Sequence, residues 1–135
     1  MENWIYYGVF LDDDESQRVY NIVDSLPGIN IPEDWRKYAD HMTIIYNNKS
    51  EVAQAWAKTT NARLGEDVLL KATHVGMSDK AIAIRVTGEM SANDIPHITI
   101  ACSPTGKPVE SNKITNWREI DPFTINGRID VFVRK

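Results

Sequence analysis

The chain has a single cysteine, Cys102, among 135 residues. It therefore holds no internal disulfide, and a reducing, intracellular setting is expected. No apolar run approaches the ~20 residues that a membrane span needs. Met1-Glu2-Asn3-Trp4 lacks the basic start of a signal peptide, so a cytoplasmic location with no membrane partner is expected. There is no basic block either, because 15 Lys and Arg stand against 19 Asp and Glu, for a net charge of −4. Long nucleic acids are gripped through many Lys/Arg–phosphate contacts. A phosphate-bearing ligand should then be a small nucleotide or a short single-stranded end, not a long duplex. Gly88 and Gly106 are isolated, so no Gly-rich loop cradles a phosphate. The three histidines include no His-x-His pair. Asp40 and His41 are adjacent and should face opposite sides of a strand. A metal site wants three or four convergent ligands, so neither a metal nor a cofactor is expected.

What is present is ordinary globular material, 42% hydrophobic and 25% charged, enough for one domain over residues 1–135. Trp4 to Leu11 reads as a strand. Asp12 to Glu15 cap and open a helix through about Leu26, with Val19, Ile22, Val23 and Leu26 on one side. Asp40 to Tyr46 is a strand. Ser50 caps a second helix to about Leu64, with Val52, Ala53, Trp56 and Ala57 as its buried side. Val68 to Val75 and Ala81 to Val86 read as a hairpin. His97 to Cys102 is a strand, Ser103 to Asn116 an irregular stretch with room for one helical turn. Phe123 to Val133 reads as a last strand or a kinked pair broken near Asn126-Gly127. Short strands with two helices imply an α+β fold with mainly antiparallel sheets. A weak internal echo, each half carrying one histidine strand, suggests two lobes that set those strands side by side.

Two tetrads stand out: His41-Met42-Thr43-Ile44 and His97-Ile98-Thr99-Ile100. Alternation along a strand puts His41 with Thr43, and His97 with Thr99, while the apolar members face a core. One occurrence would read as a structural histidine; the repetition in so short a chain favours a shared site. An unperturbed imidazole titrates near 6.5, so one of the pair can be neutral while the other is protonated. The neutral one takes a proton from an attacking water or hydroxyl, and the protonated one gives a proton to the leaving oxygen. The threonine hydroxyls can hold non-bridging phosphate oxygens. His74 has no following threonine and reads as a surface residue. Cys102 has the opposite parity to His97 and should be buried, which leaves a Cys–His nucleophile unsupported.

The paired His-x-Thr motifs resemble the two-histidine (2H) phosphoesterase superfamily, which includes RNA cyclic phosphodiesterases. Tyr7-Gly8-Val9-Phe10-Leu11-Asp12, then a helix, Trp35 and Asp40-His41-Met42-Thr43-Ile44, with a late Gly127-x-Ile129-x-Val131 strand, are similar to the RNA-repair branch related to the phosphodiesterase modules of tRNA ligases. The resemblance implies a bilobal α+β fold, two mainly antiparallel sheets around a central cleft with flanking helices. It implies metal-independent cleavage of a nucleotide phosphodiester, commonly a 2',3'-cyclic phosphate opened to a 2'-phosphate; some members cut 2'-5' linkages or cyclic oligonucleotides. Phage and viral members destroy nucleotide messengers of host immunity, and an anti-defence role of that kind stays open beside RNA-end repair. Carried over, His41 and His97 are the acid–base pair and Thr43 and Thr99 the phosphate ligands, with the order of acid and base unassigned. The rival from another class is a module that sequesters a nucleotide or RNA end without cutting it.

Base recognition falls to aromatics beside the cleft, since stacking tolerates any base. Trp35 and Tyr38 are the candidates, ahead of Trp117. Lys49, Arg36, Lys37 and Lys107 could meet a phosphate, although each reads first as a solvated charge. Ile45 shares the parity of His41 and Thr43. Tyr46 does not, and should lie in the core or on the rim.

Overall fold

The structure, a computed structural model, describes residues 3–134. The strands are β1 (Trp4–Phe10), β2 (Arg36–Lys37), β3 (His41–Tyr46), β4 (Asp67–Met77), β5 (Ala81–Thr87), β6 (His97–Cys102) and β7 (Trp117–Val133). The helices are α1 (Asp13–Asp24) and α2 (Glu51–Asn61), and Pro108–Lys113 forms a 3-10 turn. Asp12 accepts a hydrogen bond from the Glu15 amide at 2.8 Å, and Ser50 accepts one from the Ala53 amide at 3.0 Å, so both helices begin at the capping residues the sequence offers. On α2 the buried side is Ala53, Ala57 and Thr60; Val52, expected there, is exposed. No helix among the described residues is long and apolar enough to cross a membrane.

The strands form one sheet, in the order β2-β6-β3-β1-β7-β4-β5, and β5 pairs back onto β6. Six strands therefore close into an antiparallel barrel, and β2 adds two residues to the edge of β6 beyond β3. This corrects the expected bilobal α+β fold with two sheets around a central cleft. The individual strands follow the local pattern. What overturns two sheets is the β5–β6 pairing, from Ala81 opposite Cys102 to Arg85 opposite His97, which leaves no gap between lobes. Closure needs strong bending, and extra residues in the ladders supply it: Ile44 in β3, Thr73 in β4 and Ile100 in β6.

The last strand also differs from expectation. It begins at Trp117 and runs 17 residues without a break at Asn126-Gly127. Gly127 is not a turn residue here. A Cβ on it would lie 3.1 Å from the Phe10 carbonyl oxygen and against Val9, so its bare Cα lets β1 and β7 approach. In one core shared with Val19 and Val23 of α1 and Ala53 and Ala57 of α2, Tyr7, Val9, Met42, Ile44, Leu70, Ile82, Ile84, Ile98, Ile100, Ile125 and Ile129 are almost wholly removed from water. Each such side chain contributes about 1.5–3 kcal/mol of burial, and this core holds β3 and β6 in place.

Candidate active site

β3 and β6 run antiparallel, with Met42 opposite Ile98. Both side chains are fully buried, so their neighbours in sequence point away from the core. Extending that register sets His41 beside Thr99 and Thr43 beside His97. The two tetrads thus meet head to tail, and the imidazoles are diagonal neighbours, roughly 7–8 Å apart at the backbone. Both histidines and both threonines line one groove of about 710 Å³. Tyr6 and Tyr46 form one wall of it, and Pro108, Val109 and Asn112 of the 3-10 turn form another. The groove is bounded by strands of the one closed sheet, not by two separate lobes.

Each imidazole has its Nδ1 engaged. His97 Nδ1 lies 2.8 Å from the Ile95 carbonyl oxygen. A carbonyl only accepts, so Nδ1 carries the hydrogen and Nε2 keeps its lone pair. Burial pushes the His97 imidazole below its ordinary 6.5; the Ile95 hydrogen bond recovers part of that, and the charge of His41 adds to the lowering. His97 is therefore neutral at pH 7. His41 Nδ1 lies 2.8 Å from Asp40 Oδ1. That hydrogen bond, first among the causes, holds the Asp40 carboxyl below the usual carboxylate range. One histidine is thus buried against a neutral dipole, and the other sits against a carboxylate.

The Asp40–His41 contact corrects the expectation that adjacency sends them to opposite sides. Ala39 adopts a left-handed backbone, φ 55, unusual without a glycine. The Tyr38 and Ala39 amides donate to Ile100 and Thr99 carbonyls at 2.8 Å each, two residues out of step with the Met42–Ile98 pair. The kink takes Asp40 out of the alternation and lets its carboxylate reach its neighbour's ring.

Tyr46 is also corrected. Tyr7 pairs with Ile45 and Gly8 with Thr43, so Ile44 is an extra residue in β3. The bulge reverses the parity beyond it. Ile45 turns into the core at 7% exposure, and Tyr46 turns out to line the groove at 60%.

Tyr38 lines the groove as well. Trp35 is not among the lining residues; it is half-buried against the main core. Trp117 packs with Ile114 over Gly76 and walls an adjoining hollow of about 370 Å³ that shares His97 and Asn112 with the groove. Arg36 is tied to the Gly106 carbonyl at 2.9 Å. Lys37 bonds Gln17 and covers the Tyr20 ring. Lys49 and Lys107 have exposed side chains outside the groove lining.

The sequence pattern did not mark Asn93, Pro108, Val109 and Asn112 of the groove lining, nor Ser111, Tyr6 and Phe10. Ser111 is buried and shares a 2.8 Å hydrogen bond with the Thr99 hydroxyl, which pins the 3-10 turn over β6. Tyr6 stacks on His41, with ring centroids 4.5 Å apart, and Phe10 stacks on the same imidazole at 5.6 Å. Burial pushes the Tyr6 phenol up to about 12, with Asp40 adding to the rise, so it stays protonated. The available signal was the pattern Tyr6-x-Gly8-x-Phe10, which is one strand face. Residues four apart on a strand are roughly 13 Å apart, yet the two rings stack at 5.6 Å. They lean together over Gly8, whose bare Cα also lets β3 approach: a Cβ there would lie 2.6 Å from the Met42 carbonyl oxygen.

Two His-x-Thr pairs thus meet head to tail in one groove of an antiparallel barrel, and the motifs are those of the two-histidine phosphoesterase superfamily. Residues 27–129 match the family described as the fungal tRNA ligase phosphodiesterase domain, and the chain belongs to that family, in the RNA-repair branch of the superfamily. The family's activity class is phosphodiester hydrolysis. No curated protein matches the chain. Among solved structures it is similar to a fungal RNA kinase, with a TM-score of 0.70 and 14% identity over 98% of this chain. The match spans 46% of the fungal chain, about half its length, and shows a shared fold. Among the described residues no three His, Cys, Asp or Glu side chains are placed to hold a metal ion.

Proposed function

We propose that this protein opens the 2',3'-cyclic phosphate of an RNA or nucleotide end to a 2'-phosphate, with His97 as base and His41 as acid. The observation that carries the reading is the asymmetry of the histidine pair. Both Nδ1 atoms are engaged, so both Nε2 atoms are left for chemistry, but only His97 is depressed by burial and only His41 has a carboxylate. The family's association with tRNA ligases supports an RNA end as the substrate.

In this mechanism His97 Nε2 removes a proton from water as the water oxygen bonds to phosphorus. The bond from phosphorus to the 3'-oxygen breaks, and His41 Nε2 gives that oxygen its proton. The products are a 2'-phosphate and a 3'-hydroxyl, and proton exchange with solvent resets the histidines. Asp40 accepts the His41 Nδ1 hydrogen and so turns Nε2 toward the leaving oxygen. Thr43 and Thr99, alternating with the imidazoles, donate to the non-bridging oxygens, where negative charge accumulates. Ser111 can donate to Thr99, which leaves the Thr99 proton free for phosphate.

The test is turnover of 2',3'-cyclic nucleotides and cyclic-phosphate-ended RNA in EDTA, with products identified by mass spectrometry. Wild type should release the 2'-phosphate. His41→Ala and His97→Ala should each lose at least about 100-fold, the usual worth of one acid–base role. Full activity in either variant overturns the reading. Tight binding without turnover would make the protein a sequestering module.

A further inference from the structure

Beyond the groove, the outward faces of three strands place aromatic residues in line. Tyr6 of β1 is opposite Tyr46 of β3 on one side and Phe132 of β7 on the other. Phe132 and Tyr6 stack, with centroids 5.4 Å apart and planes 24° from parallel. Tyr46 is 60% exposed and Phe132 49%. Among the described residues these two are the only aromatics counted with the large exposed apolar side chains, and both fall in this row. Burial in the core does not explain them, because their strand neighbours Ile45 and Val131 face inward and they do not.

The row is continuous with the candidate active site: Tyr6 belongs to it and also stacks on His41. It crosses the strands, running from the groove wall at Tyr46 to the far strand at Phe132. Two cations lie near its ends in sequence, and one exposed carboxylate, Asp130, shares the face of Phe132. Arg134 follows Phe132 by two residues, and its amide still pairs with the Asn3 carbonyl at 2.8 Å, so it continues the extended face. Lys49 stands three residues beyond Tyr46, exposed. Adjacent exposed rings flanked by cations form the pattern that holds single strands, in which bases stack on rings and phosphates meet cations. A protein partner would be served by an aliphatic patch as well, yet the row has only rings.

We propose that the exposed rings of Tyr46 and Phe132, with Tyr6 packed between them as support, stack the nucleotides that precede the reacting phosphate, so that the preferred substrate is a single-stranded RNA 3' end of several nucleotides rather than a mononucleotide. The proposal rests on the phosphodiesterase reading above for which end of the strand enters the groove. The platform itself rests on register and exposure alone.

The experiment compares adenosine 2',3'-cyclic phosphate with a hexanucleotide carrying the same end. Wild type should favour the hexamer at least tenfold in kcat/KM. Phe132→Ala should lower that preference about tenfold, the scale of one lost stacked base, mainly through KM. Phe132→Trp should preserve it, and a hexamer with abasic sites before its terminal nucleotide should behave in wild type as the normal hexamer does in Phe132→Ala. Equal use of the two substrates, or a preference that Phe132→Ala leaves intact, overturns the platform. If neither substrate turns over, the phosphodiesterase reading fails by itself. Fluorescence anisotropy with a labelled 3'-hydroxyl hexamer then decides the platform: binding weakened about tenfold by Phe132→Ala sustains it, and no binding overturns it. A wild-type dimer that Phe132→Ala dissolves, with no effect on RNA, also overturns it and makes the row a protein contact.

Discussion

Asp40→Asn removes a charge from the site and almost no volume. In the wild-type structure the carboxylate accepts the His41 Nδ1 hydrogen at 2.8 Å, with its side chain 57% exposed. A hydrogen bond to a charged group contributes about 1.5–3 kcal/mol. Solvent screening at this exposure reduces that to about 1–2 kcal/mol, or roughly a 5- to 30-fold loss in rate. Thermal unfolding should change little, because Asp40 is partly exposed. The assay is kcat/KM on a cyclic-phosphate-ended RNA, wild type beside Asp40→Asn. A variant within twofold of wild type would refute the assignment of His41 as the acid held by Asp40.

Two further outcomes follow from the same geometry. Because burial lowers His97 from 6.5, the neutral base persists below that value, and the acidic limb of kcat/KM should lie under pH 6.5; a limb above it contradicts the burial argument. Thr43→Val and Thr99→Val should both slow turnover at least about tenfold, but only Thr99→Val should also destabilise the protein, by about 1–3 kcal/mol in chemical denaturation, because it strands the buried Ser111 hydroxyl. Equal stability of the two variants would show that the Thr99–Ser111 bond does not hold the 3-10 turn.

The histidine strands were legible because alternation is local. Met42, Ile44, Ile98 and Ile100 announce a buried face, and the polar pairs between them follow. The helix caps at Asp12 and Ser50 were legible for the same reason, since each meets donors within its own first turn. Where the reading failed, a backbone irregularity had reset the count. The extra Ile44 exchanged Ile45 and Tyr46 between core and groove, and the left-handed Ala39 brought Asp40 onto His41. No side-chain pattern marks either feature, because each answers to the strand alongside. Tyr38 reached the groove through its bonding to β6, while Trp35 was drawn onto the core.

By itself the sequence determined the strand and helix segments, the two polar faces on β3 and β6, and the residue types for acid–base chemistry on a phosphate. Only the tertiary structure decided that β5 closes onto β6, because strand pairing depends on edges distant in sequence and not on either strand's own pattern. The same closure decided that the site is a groove of one closed sheet and that Tyr6, Phe132 and Ser111 belong beside it. It also separated the two histidines, whose tetrads are nearly alike: a backbone carbonyl and burial meet one, and a carboxylate meets the other.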